Sequence, residues 1–486
     1  MLSFVWLQLQ ISIEVSMKKI LALLTACLLV SCYTHNENPL EQIRARGIIR
    51  VATVVDIATY QTDQSQPSGA EYDLITQLAA KQGLGIEVIR YPNINSLYEG
   101  LARGQADIAA ANLSPSKQRK KRFLFSDPFM QVKRQLVFRR GENRPRRAEE
   151  LSGSLVVSAG TAHHHRLQKI QADWPQLKWR ESKSLNAIDL LELINDNAID
   201  YALVYSNQLD LMRLTTPELM VGFSMDKQVN LSWAVLKTET SSDQNPDSND
   251  LLKLINASLV SMRQSGELEV LLERHYGHAR NFDYVDNRTF IRHTANRLPK
   301  FRQWFIEAAA DQVDWRLTAA QGYQESHWRP RAKSPTGVRG LMMLTLPTAK
   351  QLGVKSRLDP KQSIFGGTRY LLQLKDRIPD RISEPDRTWM ALAAYNIGFG
   401  HLEDVRILTQ RQGGNPDSWA EISQRLPLLR EKRYYRKLKY GFARGDEAAT
   451  YVKRIRRYFE ILKQLEDREF EVVKTDTEID FETPKF

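Results

Sequence analysis

The chain has 486 residues, of which 42% are hydrophobic and 26% charged. At roughly 150 residues per domain it holds about three compact units, and its composition excludes a fibrous repeat, a wholly disordered chain and a polytopic membrane protein. The formal net charge of +12 suits an acidic partner (nucleic acid, anionic lipid or an anionic wall polymer) without choosing among them.

Lys18 and Lys19 precede an apolar run of 11 residues, Ile20 to Val30. A spanning helix takes about 20 residues, so the run reads as an export signal. Both cysteines of the chain, Cys27 and Cys32, lie here. The body therefore has neither a disulfide framework nor a cysteine-based metal site. Leu29-Val30-Ser31-Cys32 resembles the bacterial lipobox. The resemblance implies cleavage before Cys32 and lipid attachment to it. Tyr33, where Asp would retain such a lipoprotein, implies sorting to the outer membrane and its inner leaflet. Stable anchoring needs more than one acyl chain. The residues before Met17 fit no signal design and are set aside with the signal as segment 1–32.

From 40 to 277, short apolar runs alternate with helical patterns. Residues 48–54 read as a buried strand and 72–81 as a helix with Leu74, Leu78 and Ala79 on one face. A strand at 86–89, a helix at 97–103 and a strand at 107–110 follow. This alternation predicts a mostly parallel sheet with covering helices. The pattern restarts at 154–157, after the basic stretch 139–150, and returns at 230–237. Two α/β lobes are the economical reading, with 241–250 a polar surface loop. His163-His164-His165 does not make a metal site, because consecutive residues do not share a helix face and no matching ligand spacing is near. A solvated helix start is expected there.

RGIIRVAT, EYDLITQLAAKQG, LARGQADIAAANLSPSKQRKKRFLFSDPF, SAGT and RQSGELEVLLERHYG occur in that order. Together they resemble the periplasmic solute-binding proteins of the amino-acid-binding family. The resemblance implies that Arg119, six residues before the Phe of FSDP, pairs with a ligand carboxylate. A guanidinium fork suits that partner. It also implies that Gly160-Thr161 is the contact turn of the second lobe. The family's amine-holding Asp falls here on Tyr205, a departure that argues against recognition of a free α-amino group.

Residues 278–297 read as a basic connector. From 298 to 466 the pattern is helical, with candidates at 304–313, 317–327, 347–352, 364–375, 388–395 and 451–464, punctuated by Pro330, Pro335 and Pro360. Residues 467–486 read as a disordered tail. Glu325 sits near the end of a helix that Pro330 must stop. A carboxyl there, set against apolar walls, has its neutral form favoured, as a general acid near neutral pH requires.

Three signatures surround it: Glu325-Ser326-x-Trp328-x-Pro330 with Ser334-Pro335-x-Gly337, then Gly340-Leu341-Met342-Met343-Leu344-Thr345, then Ala393-Ala394-Tyr395-Asn396-x-Gly398-x-Gly400. They resemble the soluble-lytic-transglycosylase family of lysozyme-like domains. The two-part order resembles membrane-bound murein lytic transglycosylases that carry a solute-binding module. The implied fold is a two-lobed α/β periplasmic-binding-protein-like module followed by a mainly α lysozyme-like catalytic domain.

The resemblance implies one catalytic carboxylate, Glu325, and no second carboxylate lies in the signatures. On that resemblance Glu325 is expected to protonate the oxygen linking N-acetylmuramic acid to N-acetylglucosamine, and then to deprotonate the muramoyl 6-hydroxyl, which would attack C1 to give a 1,6-anhydro end. Ser334 and Tyr395 are expected to hydrogen-bond the acid or the sugar. Met342 and Met343 are expected to form a flexible apolar wall, and Asn396 to shape the helix turn. Glu447 and Tyr451 match a late Glu-x-x-x-Tyr-Val motif at the cleft. Neither a cofactor nor a metal is implied.

The expected partners are peptidoglycan glycan strands, with a muropeptide as effector of the first module. Export argues against nucleic acid. Two other readings stay open on sequence. One is a lipid-anchored sensor with an inactive wall-tethering domain. The other is a hydrolytic muramidase, separable by product mass.

Overall fold

The computed structural model describes residues 38–63, 66–237, 249–280, 282–335 and 337–471, with only the backbone of 467–471. Cys32, the export segment 1–32, nearly all of loop 241–250 and residues 472–486 lie outside the described residues.

Each lobe is built on a five-stranded sheet. In the first, the order is Gly85–Arg90, Ile48–Thr53, Ile108–Ala109, Ala234–Leu236, Phe123–Phe125. The first three strands run parallel, Ala234–Leu236 runs antiparallel to both its neighbours, and Phe123–Phe125 therefore points the same way as the first three. Helix Ala70–Lys81 buries Leu74, Ile75, Leu78 and Ala79, the 3.6-residue stripe of a helix that covers a sheet. In the second lobe the order is Leu219–Leu231, Met130–Arg139, Tyr201–Tyr205, Leu155–Ser158, Arg180–Ser182.

The apolar stretch 230–237 is not one element. Leu219–Leu231 ends in the second lobe and Ala234–Leu236 belongs to the first. The chain crosses between lobes at Ser232-Trp233, beside the outward crossing at 126–129. There Ser126 N donates to the Trp233 carbonyl at 2.9 Å, and Trp233 N donates to Ser126 Oγ at 3.0 Å. The Trp233 indole is fully buried and donates to Glu71 Oε2 at 3.0 Å. Two adjacent crossings locked by reciprocal hydrogen bonds make a narrow hinge.

The third unit is helical, and it begins earlier than the sequence pattern suggests. The expected connector contains helix Tyr284–Asn296. Its Phe290 is fully buried, stacked on Tyr458 at 4.5 Å between centroids and edge-on to Tyr323 at 4.6 Å. Asp286 accepts from the Tyr458 hydroxyl at 2.9 Å and is paired with Arg457. The basic residues that made this stretch look like a solvated linker occupy its outer face. At the other end, helix Gly445–Glu471 runs past the expected boundary at 466.

Both lobes touch this unit. From the first lobe, Glu273 pairs with Arg456 at 2.8 Å. From the second, Glu218 accepts from the Tyr284 hydroxyl at 3.0 Å, Arg213 lies 3.5 Å from the Phe282 ring centroid, and Thr215 Oγ1 donates to Gln464 at 3.2 Å. Among the described residues, no helix is long and apolar enough to cross a membrane.

Candidate active site and inter-lobe cleft

Glu325 lies on the last turn of helix Trp315–Ser326, which Asp314 caps by accepting from Arg316 N at 2.8 Å. The helix ends abruptly. His327 and Trp328 both take left-handed backbone, at φ 53 and 54, a conformation that costs a non-glycine residue on the order of 1–3 kcal/mol and is held only by its surroundings. Here the His327 amide closes on the Tyr323 carbonyl at 2.7 Å, and the buried Trp328 indole donates back to the Ala319 carbonyl at 2.8 Å. The reversal leaves Glu325 half-buried where the chain turns away. One turn earlier, Gly322 permits close packing. A Cβ there would sit 2.9 Å from Leu341 and 3.1 Å from the Met342 sulfur.

The Glu325 carboxyl is held from one side. Tyr451 donates its hydroxyl to Oε1 at 2.5 Å, and Gln321 Nε2 donates to that hydroxyl at 3.3 Å. Oε2 makes no hydrogen bond among the described residues and is not sealed from solvent. Withdrawal from water pushes the carboxyl up to about 7, against the opposing pull of the Tyr451 hydrogen bond. Burial, reinforced by the Glu325 charge, holds both Tyr395 and Tyr451 protonated, well above the usual phenol value.

The remaining expected residues divide. The Tyr395 hydroxyl donates to the Met342 carbonyl at 2.8 Å, so it braces the Gly340–Thr345 loop beside Glu325. Ser334 Oγ accepts from Val338 N at 3.3 Å in a tight turn. Met342 corrects the expectation of a flexible wall: its side chain is fully buried against Gly322 and Gly367 and cannot meet a sugar. Met343 is half-buried with φ 46 and stays at the surface of the turn. Asn396 is exposed on the last turn of helix Asp386–Ile397. Glu447 is exposed and paired with Arg444 at 3.4 Å, although Tyr451 one turn later reaches Glu325. Gln321 belongs to none of the signatures. The signal that marks it is a polar residue one turn before the acid, on the same face of a buried helix.

Between the lobes, Arg119 and Thr161 line one cavity. Arg119 Nη2 donates to Asn95 Oδ1 at 2.8 Å and, across the lobes, to the Gly160 carbonyl at 2.9 Å. Its guanidinium lies 4.0 Å from the Tyr98 ring centroid. Nη1 and Nε make no hydrogen bond among the described residues. Thr161 caps helix Ala162–Gln171, its Oγ1 accepting from His164 N. Tyr205 reaches across to Ser114 Oγ at 2.8 Å. The histidine run is not a solvated helix start. His163 is buried, its ring 4.3 Å from that of Tyr205, and burial drives its pKa well down, so it is neutral. Among the described residues no group of three or more His, Cys, Asp or Glu is arranged to hold a metal ion.

Residues 49–278 match the family described as bacterial extracellular solute-binding proteins, family 3, and residues 302–417 match the transglycosylase SLT domain. An ancestral arginine-binding protein bound to arginine aligns with 48% of this chain and 99% of its own, at 20% identity and a TM-score of 0.42. The two family matches define a solute-binding module joined to a transglycosylase domain. The chain is 42% identical to the membrane-bound lytic murein transglycosylase F of Idiomarina loihiensis, over 92% of this chain and 97% of that protein. It is 42% identical to that of Pseudoalteromonas translucida, over 93% and 94%. The chain belongs to the membrane-bound lytic murein transglycosylase F family.

Proposed function

We propose that this protein cleaves the bond between N-acetylmuramic acid and N-acetylglucosamine in peptidoglycan without water, with Glu325 as both acid and base. The observation that carries the reading is a carboxyl pushed up to about 7, gripped at Oε1 by Tyr451 and open at Oε2. Glu325 gives its proton to the glycosidic oxygen as the C1–O bond breaks and the electron pair passes to that oxygen. The substrate's acetamido group steadies the positive C1. The carboxylate then takes the proton of the muramoyl 6-hydroxyl as its oxygen bonds to C1, which restores the neutral acid. Mass spectrometry of products released from purified sacculi tests this. Anhydro ends support it, and ends heavier by one water indicate a hydrolytic muramidase.

The organisation we assign is an export segment over 1–32, a binding module to about 277 and a catalytic unit from about 284. Tyr395 positions the Met342–Met343 loop, and Ser334 shapes the turn that follows the helix carrying the acid. Cys32 anchors the protein to the inner leaflet of the outer membrane, a reading supported by the lipobox-like LVSC. Cys32→Ala is expected to move the protein to the soluble fraction. Retention of this variant on membranes through a high-salt wash, which screens electrostatic attachment, would overturn the anchor.

The inter-lobe cleft takes a muropeptide, whose stem carboxylate meets Nη1 and Nε of Arg119, while Tyr205 stands where an amine partner would be. Arg119→Ala is expected to weaken muropeptide binding by roughly 1.5–3 kcal/mol, the scale of a hydrogen bond to a charged group. Calorimetry on the full-length protein reads this, with free amino acids binding more weakly than muropeptides. Tighter binding of a free amino acid, or indifference to Arg119→Ala, contradicts the assignment.

A further inference from the structure

Gln321 is fully buried on helix Trp315–Ser326. Its Nε2 meets the Tyr451 hydroxyl, and its Oε1 is buried without a partner. An unpaired buried polar atom is destabilising, and an aliphatic side chain of similar size would avoid that cost. The amide is therefore a poor choice for packing alone. Its one hydrogen bond falls on the group that holds the acid.

We propose that Gln321 is a positioning residue that fixes the direction of the chain Gln321 Nε2–H to Tyr451 O–H to Glu325 Oε1, and so keeps the acid proton on Oε2. The inference rests on the reading of Glu325 as the acid. A tyrosine hydroxyl has one proton to give and lone pairs to accept with. Because the amide nitrogen donates to the hydroxyl oxygen, the hydroxyl proton is directed to Oε1. Oε1 then acts as an acceptor in both states of the carboxyl. When Glu325 is neutral its proton sits on Oε2, the oxygen that no described residue engages. When Glu325 is ionised, the same arrangement stabilises the carboxylate that must take the 6-hydroxyl proton. No hydroxyl reorients between the two halves of the reaction, which is the advantage of preorganised donors.

Without the amide, the Tyr451 hydroxyl is free to turn. Neutral Glu325 can then place its proton on Oε1 and donate it to Tyr451, facing away from the sugar. This arrangement favours the neutral carboxyl and removes its proton from the reaction. Loss of the Gln321 donor therefore lowers turnover and raises the pH at which Glu325 ionises.

The test uses the full chain, sacculi as substrate and anhydromuropeptide release measured from acid to alkaline pH. Gln321→Leu, and Gln321→Met as a variant of similar length with no donor, are expected to lower kcat by about tenfold, equivalent to about 1.4 kcal/mol. The alkaline fall in activity is expected to move to higher pH. In the Tyr451→Phe background the same substitutions are expected to change neither quantity further, because the chain they direct is gone. An alkaline limb that stays in place in both variants, or an equal loss with and without Tyr451, would show that Gln321 only packs, and overturns the proposal. Failure of the underlying reading looks different. In that case anhydro ends are absent from the products of the unaltered protein, or Glu325→Gln retains its activity.

Discussion

Glu325→Gln is expected to reduce anhydromuropeptide release from sacculi by at least about 10²- to 10⁴-fold, the range supplied by a positioned general acid or base. The amide has nearly the shape of the carboxyl, can still accept from Tyr451, and has no acidic proton to give. Near-normal turnover in a folded Glu325→Gln protein would falsify the single-carboxylate mechanism. The unaltered enzyme should also lose activity as pH rises through about 7, because the first half of the reaction needs the neutral acid. Its reactivity at neutral pH depends on withdrawal from water, so a substitution that lets solvent reach the carboxyl should move that loss to lower pH.

The second large effect is structural. Phe290→Ala is expected to cost about 3–5 kcal/mol of stability, the usual penalty for truncating a buried phenylalanine. Phe290 is enclosed by Tyr323, Trp328 and Tyr458. Two of these rings belong to the segment that places Glu325, so activity should fall with stability. Denaturant unfolding of the full chain would show a lowered midpoint for the helical unit. An unchanged midpoint would mean that 284–296 is a tether after all.

The two-lobed α/β architecture and the helical unit were both legible in the chain, and for the same reason. Parallel strands buried on both faces read as apolar runs, and Leu74, Leu78 and Ala79 form the covering stripe that their spacing announces. Boundaries were harder. The stretch 284–296 is rich in arginine on one side, and its single inward stripe of Asn287, Phe290 and His293 is too thin to stand out in a basic background. The split at Ser232-Trp233 was hidden because a chain crossing between lobes keeps its extended, apolar character.

At the site, Glu325 and Tyr451 were legible from motifs. Met342 was misread because an apolar residue beside an acid looks the same in sequence whether it lines the cleft or fills the core. The distinction comes from Gly322 and Gly367, two helices distant in sequence whose missing side chains make the room it occupies. Gln321 offered only its one-turn offset from the acid. His163 was misread because nothing in a run of three histidines says that Tyr205, about 40 residues later, will cover the first.

Helix Gly445–Glu471 is one rod held at three places. Along about 20 Å of one rigid rod, at 1.5 Å per residue, it presents Tyr451 to the acid, Arg456 to the first lobe and Gln464 to the second. Two grips that belong to bodies joined by a hinge cannot both stay fastened while the hinge turns, unless the rod tilts with them. Tilt about either grip displaces the end that carries Tyr451. A turn of the hinge would therefore load the same helix that carries the acid's partner, from two lobes that contain none of the reacting groups.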